Sequence, residues 1–282
     1  MITPNILFKI RNTYKSNCLD PIDDNPAFPK TFNDFCVMMN LLDNEKRDML
    51  IFLLGDYIKK GLVDYSKDLY NLFLIVNSTL KTKSHICFLP LVNTIKSNSS
   101  QYLSYYAKLP AFRKIFADKK ITSELDDINV SELVKKINES KIDYCIFLDD
   151  FIGTGDTADD ELKIYLEAGL KPEKIIIISL VIQNNGLERL QKKYHQVFFI
   201  ELVSRGISDN SRLSKKERSN FLRIMGEIED IINVKDGNKY RFGYKKSEAL
   251  VTMLKTPNNT FPIFWKPNGK KNEGGIIAPF PK

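Results

Sequence analysis

The sequence predicts an α/β fold with a central, mostly parallel sheet, preceded by a helical region and followed by a helix–strand extension. Short apolar runs alternate with helical patterns between His85 and Val203, as in parallel strands joined by helices. These runs are continuous rather than alternating, which indicates strands buried on both faces. With 282 residues, 43% of them hydrophobic, the chain can bury a large core. We expect one large domain or one domain with an appended cap.

Residues 1–83 are predicted to form an N-terminal helical region or cap. The segments "TFNDFCVMMNLLD" and "NEKRDMLIFLLGDYIKKGL" carry apolar residues at spacings of three and four, the repeat of a helix with one buried face. Asp43 or Asn44 can cap the second of these helices, and a third helix is expected over 66–80. The preceding "LDPIDDNPAFPK" is rich in Pro and Asp, which indicates an extended loop.

Residues 84–210 are predicted to form the sheet and its covering helices. Strand and helix patterns follow one another in the order expected of a parallel sheet covered on both faces. The predicted strands are "HICFLPLV", "YCIFLDD", "KIIIISLVIQ" and "VFFIELV", and the predicted helices are "QYLSYYAKL", "VSELVKKINES", "TADDELKIYLEAGL" and "GLERLQKKYH".

Residues 211–282 are predicted to add a long helix, a strand and a basic tail. "LSKKERSNFLRIMGEIEDIIN" has Ser214 and Glu217 at the spacing of a capping box. Its apolar stripe consists of Phe221, Met225, Ile228 and Ile232. "SEALVTMLKTPNNTFPIFW" then indicates a strand, a turn at Pro-Asn-Asn and a second apolar segment.

The net charge of +7 is concentrated at the C-terminal end of the chain. Residues 235–282 contain ten Lys or Arg against three acids, whereas residues 1–234 are neutral. Such an end can attract nucleic acid, a phosphate-rich ligand or an acidic partner protein. A solvated, lysine-rich surface is the alternative, because the lysines are scattered among few aromatic residues.

Localisation and cysteine chemistry are expected to be those of a cytoplasmic protein without a membrane anchor. The longest apolar stretches, such as "IIIISLVI", are far shorter than the ~20 residues of a membrane-spanning helix. The first residues contain no long apolar segment and no cleavage site of a secretory signal. The four cysteines have no metal-ligand spacing, so we expect structural thiols.

Residues 145–161, "CIFLDDFIGTGDTADDE", place two adjacent acids before a loop with two glycines and two threonines. A dinucleotide-binding turn fits Gly153, Gly155 and Ala158, but the acids would repel a pyrophosphate, and the next strand ends at Gln183 rather than in an acid. An Asp-x-Asp phosphatase site is disfavoured because Phe151 stands where the second acid is needed. A loop that only caps a helix, with Thr157 and Asp160 as a near capping box, is a further possibility.

A sugar phosphate accounts for both halves of the motif. Paired carboxylates are good acceptors for vicinal hydroxyl groups, and a loop rich in amides at a helix N-terminus suits a 5′-phosphate on the same ribose. The carboxylates and the phosphate then need not touch, because the ribose separates them.

"IFLDDFIGTGDT" resembles the 5-phosphoribosyl 1-pyrophosphate (PRPP) motif of type I phosphoribosyltransferases at nearly every position. The resemblance implies the sheet of that family, with Asp149 and Asp150 on the ribose hydroxyls. It implies a phosphate site made by Gly153, Thr154, Gly155, Asp156 and Thr157. Asp156 departs from the small uncharged residue usual in the family, so its carboxylate must point away from the phosphate or weaken binding.

The same resemblance implies three further features. The loop after the first core strand would bind pyrophosphate through Lys96, Ser97, Asn98 and Ser99. Mg²⁺ bound to PRPP would assist pyrophosphate release. Asp149 and Asp150 would contact this ion only indirectly, through the ligand. The acceptor side would include Arg205.

"FGYKKSEALVTMLKTPNNTFPIFW" is similar to the C-terminal signature of the phosphoribosyltransferase-like effector domains (PRTase-CE) of bacterial conflict systems, including retron systems. This resemblance implies an antiphage effector held in check by a partner. The partner could be a reverse transcriptase or a nucleic acid that binds the basic C-terminal end, and the protein could form a homo-oligomer. Asn258 and Asn259 could close over a base. A housekeeping nucleobase phosphoribosyltransferase and a non-catalytic ligand sensor or scaffold remain alternatives.

Overall fold

The computed structural model describes residues 2–17, 19, 31–92, 99–122, 129–267 and 278–280. The chain divides into two compact units. The helical unit comprises Met1–Gly61 and Ser204–Lys282, and the sheet unit comprises Leu62–Val203. The helix that begins at Leu62 groups with the sheet unit. The predicted boundaries at 83/84 and 210/211 stay a prediction.

The elements alternate over the middle of the chain as the sequence predicts. In chain order they are α1 (Pro4–Ser16), α2 (Thr31–Asn40), α3 (Asn44–Leu54), β1 (Ile58–Lys59), α4 (Leu62–Thr79), β2 (His85–Pro90), α5 (Ser99–Lys108), α6 (Pro110–Arg113), β3 (Lys120–Thr122), α7 (Val130–Glu139), β4 (Tyr144–Ile152), α8 (Asp156–Glu167), β5 (Ile175–Gln183), α9 (Asn184–Gln191), β6 (Gln196–Val203), α10 (Lys215–Ile231) and β7 (Val251–Thr252).

The sheet unit is built on a five-stranded parallel sheet with strand order β3-β2-β4-β5-β6. The chain runs outward from β2 to β3, returns to β4 and continues outward in the other direction through β5 and β6. The strand order therefore reverses between β2 and β4. In an open parallel sheet, such a reversal leaves a crevice at the carboxyl ends of the two strands, where ligands bind.

Apolar side chains fill both faces of this sheet. On one face, Cys87, Cys145 and Phe147 pack in a cluster with Tyr165 and with residues of α7 and α8. On the other, the Phe73 ring of α4 lies 5.1 Å from the Phe88 ring of β2. Every residue of β5 is buried, including Ser179 and Gln183, as its largely apolar sequence predicts.

The helical unit has its own core and its own small sheet. Helices α1, α2, α3 and α10 contribute to one buried cluster that includes Tyr14, Phe35, Leu50 and Met225. The short strands β1 and β7 pair in parallel, so residues from both ends of this unit meet in one sheet. The predicted strand in "SEALVTM" is thus confirmed, but it is only two residues long.

The N-termini of α3, α8 and α10 test the predicted helix caps. Asp43 caps α3, and the Ser214–Glu217 capping box of α10 is present with both of its hydrogen bonds. The capping box expected at Thr157 and Asp160 is wrong, because α8 begins at Asp156 and its N-cap is Gly155, which makes no side-chain cap. Among the described residues, no helix has both the length and the apolar character needed to cross a bilayer.

Candidate functional site

Asp149 and Asp150 lie near the carboxyl end of β4, next to the reversal of strand order. β2 ends beside them, since its last residue, Pro90, pairs with Leu148. The chain that leaves β2 returns to this edge in α5, which begins at Ser99. The sheet topology therefore places the two acids in the crevice where a parallel sheet binds its ligand.

Each acid accepts a hydrogen bond from a hydroxyl group of a neighbouring helix. The Ser100 hydroxyl of α5 donates to Asp149 Oδ1 at 2.8 Å, and the Asp150 amide donates to the same oxygen at 3.0 Å. The Tyr65 hydroxyl of α4 donates to Asp150 Oδ2 at 2.5 Å. Asp150 and Tyr65 are buried, whereas Asp149 is half-buried.

The environment disfavours two negative charges on this pair. Burial raises the pKa of Asp149 well above its ordinary value, and the Asp150 carboxylate raises it further. Burial also raises the pKa of Asp150, although the hydrogen bonds from Tyr65 and Ser99 lower it. A ligand that donates hydrogen bonds to both carboxylates would stabilise the ionised pair, and vicinal sugar hydroxyls are such donors.

The loop after β4 rests against the start of α9. Gly155 has φ of 77°, a left-handed conformation that favours glycine. A Cβ atom on Gly186 would lie 2.4 Å from the Gly153 carbonyl oxygen, so a side chain at that position would displace the loop. Gly186 is therefore a site residue that our motif did not include. Its only signal in the sequence is a glycine inside a predicted helix.

The loop leads into the N-terminus of α8. The first hydrogen bond of this helix runs from the Asp159 amide to the Gly155 carbonyl at 2.9 Å. The amides that precede Asp159 belong to the first turn, where a helix offers no carbonyl acceptor of its own and its dipole favours an anion. Gly153 and Gly155 are buried, Thr154 is half-buried and Thr157 is exposed.

Asp156, the acid that departs from the family pattern, is held by a cation of α9. Arg189 Nη1 lies 2.9 Å from Asp156 Oδ1, and the Thr154 hydroxyl donates to Asp156 Oδ2 at 2.5 Å. Lys193 pairs in the same way with Asp159 of α8, at 2.7 Å. Arg189 therefore offsets the negative charge of Asp156 inside the loop. No pattern in the sequence indicated this pair.

The predicted pyrophosphate loop lies largely outside the described residues. Lys96, Ser97 and Asn98 belong to that part of the chain. Ser99 is the first residue of α5, and its hydroxyl hydrogen-bonds to Asp150 and lowers the pKa of that carboxyl group. Of this predicted set, the structure thus places Ser99 beside the acid pair.

The residues predicted for the acceptor side belong to the helical unit. Arg205 forms a two-pronged ion pair with Asp209, from Nε at 2.9 Å and from Nη2 at 2.7 Å. The Asn258 and Asn259 carbonyls accept hydrogen bonds from the amides of Tyr244 and Ala249. These contacts are ones that hold a fold together, and the role of the three residues toward a ligand stays a prediction.

The helical unit contains two buried acids of its own, Glu229 and Glu248. Both Glu229 carboxylate oxygens accept from the Phe242 amide, at 3.1 and 2.9 Å. Glu248 Oε2 accepts from the amides of Ile207 and Ser208, at 3.1 and 2.7 Å. Burial raises the pKa of Glu229 to about 8. Main-chain amides therefore donate to both acids, and the Ser208 hydroxyl also donates to Glu248 Oε1 at 2.5 Å.

Asp149 and Asp150 suit a magnesium ion that arrives with its ligand. Among the described residues, no group of three or more His, Cys, Asp or Glu is placed to hold a metal ion by itself. Mg²⁺ commonly binds through one or two carboxylates together with substrate phosphates rather than in an all-protein cage. The pair is compatible with that mode.

Comparison with protein families assigns the chain. The PRTase-CE family model matches residues 38–273, well over half of the sequence. The protein belongs to the PRTase-CE family. This confirms the resemblance read from the acid pair, its loop and the C-terminal segment. No curated protein matches this PRTase-CE chain.

Solved structures similar to the PRTase-CE chain include phosphoribosyltransferases. An APRTase from Giardia lamblia in complex with 9-deazaadenine is 12% identical, with a TM-score of 0.30, over 49% of this chain and 79% of its own. A Helicobacter pylori xanthine-guanine-hypoxanthine phosphoribosyltransferase is 11% identical, with a TM-score of 0.30, over 52% and 90%. The AQ2163 protein from Aquifex aeolicus is 11% identical, with a TM-score of 0.31, over 77% and 89%. The assignment rests on the family match rather than on these low scores.

Proposed function

We propose that this PRTase-CE protein binds PRPP or a related ribose 5-phosphate where the strand order of its sheet reverses. One observation carries the proposal: two adjacent carboxylates, each oriented by a hydroxyl donor, lie directly before a glycine loop and a helix N-terminus. Asp149 and Asp150 then accept the ribose 2′- and 3′-hydroxyl groups. The loop from Gly153 to Thr157 holds the 5′-phosphate.

The loop can accept a phosphate because its own acid is already paired. Arg189 and the Thr154 hydroxyl both contact the Asp156 carboxylate, which directs that charge toward α9. The amides of the first turn of α8 and the hydroxyl of Thr157 remain as donors of the kind that bind phosphate. A helix N-terminus alone would suit any anion, whereas the acid pair beside it selects an anion that also carries hydroxyl groups.

The reaction we propose is transfer of the phosphoribosyl group. The C1′–oxygen bond to pyrophosphate breaks, a bond from C1′ to the acceptor forms, and pyrophosphate leaves with the bonding electrons. Positive charge develops on the ribose during this step, and the carboxylates of Asp149 and Asp150 would stabilise it. Mg²⁺ bound with PRPP would supply charge neutralisation for the leaving group.

The finer role we propose is that of an antiphage effector controlled by a partner, as in retron systems. The support is the family match, together with the basic C-terminal region, which suits a nucleic-acid or reverse-transcriptase partner. In the described part of that region, the Lys239 and Lys245 ammonium groups lie 5.0 and 5.7 Å from the centres of the Tyr240 and Tyr244 rings. Lysines interleaved with aromatic rings are typical of surfaces that bind single-stranded nucleic acid.

Calorimetric titration tests the ligand. We expect the wild-type protein with Mg²⁺ to bind PRPP, and Asp149→Asn and Asp150→Asn to lower the affinity at least tenfold. Glu167→Gln is the matched control, because this acid lies at the far end of α8 and is exposed. Ribose 5-phosphate and NAD serve as comparison ligands. Absence of binding by all three ligands, or equal PRPP binding by the Asn variants, would refute the proposal.

A second assay separates catalysis from sensing. Purified protein with PRPP, Mg²⁺ and candidate nucleobases or nucleic acids should release pyrophosphate, and Asp149→Asn should abolish the release. Binding of PRPP with no pyrophosphate released under any of these conditions would instead support the ligand sensor or scaffold.

A further inference from the structure

Tyr65 connects helix α4 to the acid pair from outside the sequence motif. It lies in the first turns of α4, 85 residues before Asp150, and its side chain is fully buried. Its neighbours Leu62 and Val63 are 53% and 81% exposed, so the start of this helix projects one tyrosine inward. The phenol donates its hydrogen bond to Asp150 Oδ2.

Among the described residues of the sheet unit, not every buried tyrosine hydroxyl has a hydrogen-bond partner. A buried tyrosine hydroxyl usually finds a hydrogen bond, since leaving it without one costs free energy. Two other buried tyrosines of the sheet unit, Tyr165 and Tyr194, have hydroxyl groups without a hydrogen-bond partner in the described part of the chain. Tyr65 differs from these two tyrosines in that its hydroxyl donates to an acid at the edge of the sheet.

The geometry of a strand explains why this acid needs a donor of its own. Successive side chains of a strand point to opposite faces of the sheet, so two adjacent acids do not turn toward one ligand by themselves. Asp149 is turned by Ser100 of α5 and by the Asp150 amide. Asp150 is turned by Tyr65 of α4. Helix α5 thus supplies a donor to each acid, Ser100 to Asp149 and Ser99 to Asp150, whereas α4 supplies Tyr65 to Asp150 alone.

We propose that Tyr65 is a positioning residue that holds the Asp150 carboxylate in the orientation that accepts a sugar hydroxyl. Helix α4 is then part of the ligand site, although it lies outside the segment that identifies that site. The inference rests on the proposed ribose-phosphate function. It adds a residue that acts through Asp150 rather than by touching the phosphate.

The substitution Tyr65→Phe tests this role, with Tyr165→Phe as its matched control. Both remove one hydroxyl from a buried ring of the same unit, but only Tyr65 donates to the site. We expect Tyr65→Phe to lower the affinity for ribose 5-phosphate about tenfold in calorimetry, a typical effect for a hydrogen bond to a charged group. The affinity for inorganic phosphate, followed by ³¹P NMR titration, should stay unchanged. Tyr165→Phe should change neither.

The double variant with Asp150→Asn decides whether Tyr65 acts through Asp150. Tyr65→Phe should add no further loss in that background, because the two residues form one unit. The same fold-loss in both backgrounds would overturn the inference, as would equal affinity of Tyr65→Phe and wild type. If Tyr65→Phe fails to fold while Tyr165→Phe folds, the hydroxyl serves stability and the positioning role is wrong. Absence of ribose 5-phosphate binding in the wild type would instead refute the proposed function.

Discussion

The two units of the molecule each contain a pair of acids, and the balance of side-chain and main-chain donors to these acids differs between the units. In the sheet unit, the side-chain hydroxyls of Ser100 and Tyr65 donate to Asp149 and Asp150. In the helical unit, main-chain amides donate to Glu229 and Glu248, and the Ser208 hydroxyl is a further donor to Glu248. Both units therefore contain two hydrogen-bonded carboxyl groups, but in different local environments.

The donors show what each pair does. Amides are fixed parts of the backbone, so the acids of the helical unit stabilise the backbone conformation of the segments that donate to them. Phe242 and Glu248, together with Lys245 and Lys246 between them, have positive φ, and such backbone persists only where its surroundings hold it in place. Hydroxyl groups rotate and can be shared with a ligand. We infer that burial of an acid alone does not mark a ligand site, and that hydroxyl donors from two helices beside a glycine loop indicate one.

The largest effect should follow from removing the acid with several main-chain partners. Glu248→Ala leaves the Ile207 and Ser208 amides and the Ser208 hydroxyl without their acceptor, and we expect a loss of about 3 kcal/mol in the free energy of unfolding. Denaturant titration measures it. Glu248→Gln, which retains one acceptor oxygen, should lose less. Unchanged stability in both variants would contradict the assignment of this acid to the backbone.

Glu229 should make stability depend on pH. Its pKa is raised to about 8 from an ordinary 4.5, so between these values the folded protein keeps a proton that the unfolded chain releases. Stability must then fall as pH rises through this window, by about 1.4 kcal/mol per pH unit at most. Melting curves of Glu229→Gln between pH 5 and 8 should be flatter than those of the wild type. Parallel curves would show that Glu229 does not titrate in this range.

Asp149→Asn should leave the free protein at least as stable as the wild type. Since the folded pKa of Asp149 is raised, its ionised form disfavours folding above the ordinary pKa of an aspartate. The neutral amide removes that penalty, and we expect a gain of about 1 kcal/mol at pH 7 in denaturant titration. If Asp149→Asn instead lowers the free energy of unfolding as much as Glu248→Ala does, Asp149 stabilises the fold in the way that Glu248 does.

The smallest effect concerns the ion pair inside the loop. Arg189→Ala exposes the phosphate site to the charge of Asp156, so we expect ribose 5-phosphate affinity to fall about threefold, as for a partly exposed ion pair. Asp156→Asn in the same background should restore the affinity. If the double variant binds no better than Arg189→Ala, the arginine acts by some means other than neutralising Asp156.

The sequence predicted the helices and strands better than the contacts between them. Apolar periodicity was enough for β4, β5 and α10, because local sequence decides those patterns. Helix α1 was missed although Thr3 caps it and Pro4 opens it, both visible start signals.

Contacts between distant segments were not predictable from pattern. Such contacts depend on which face of one element packs against which edge of another. Examples are the pairing of β1 with β7 and the contacts of Tyr65 with Asp150 and of Arg189 with Asp156. The motif located the acid pair and its loop, because their residues are adjacent in the chain. It left out α4 and α9, which hold that pair and that loop in place.

The most direct test compares ribose 5-phosphate with 2-deoxyribose 5-phosphate on the wild type and on Asp149→Asn and Asp150→Asn, by calorimetry. If the acid pair accepts the sugar hydroxyls, removing the 2-hydroxyl should weaken binding to the wild type about tenfold and cost much less in at least one Asn variant. If the deoxy sugar loses the same factor in all three proteins, the carboxylates do not hold the ribose, and the central claim is wrong.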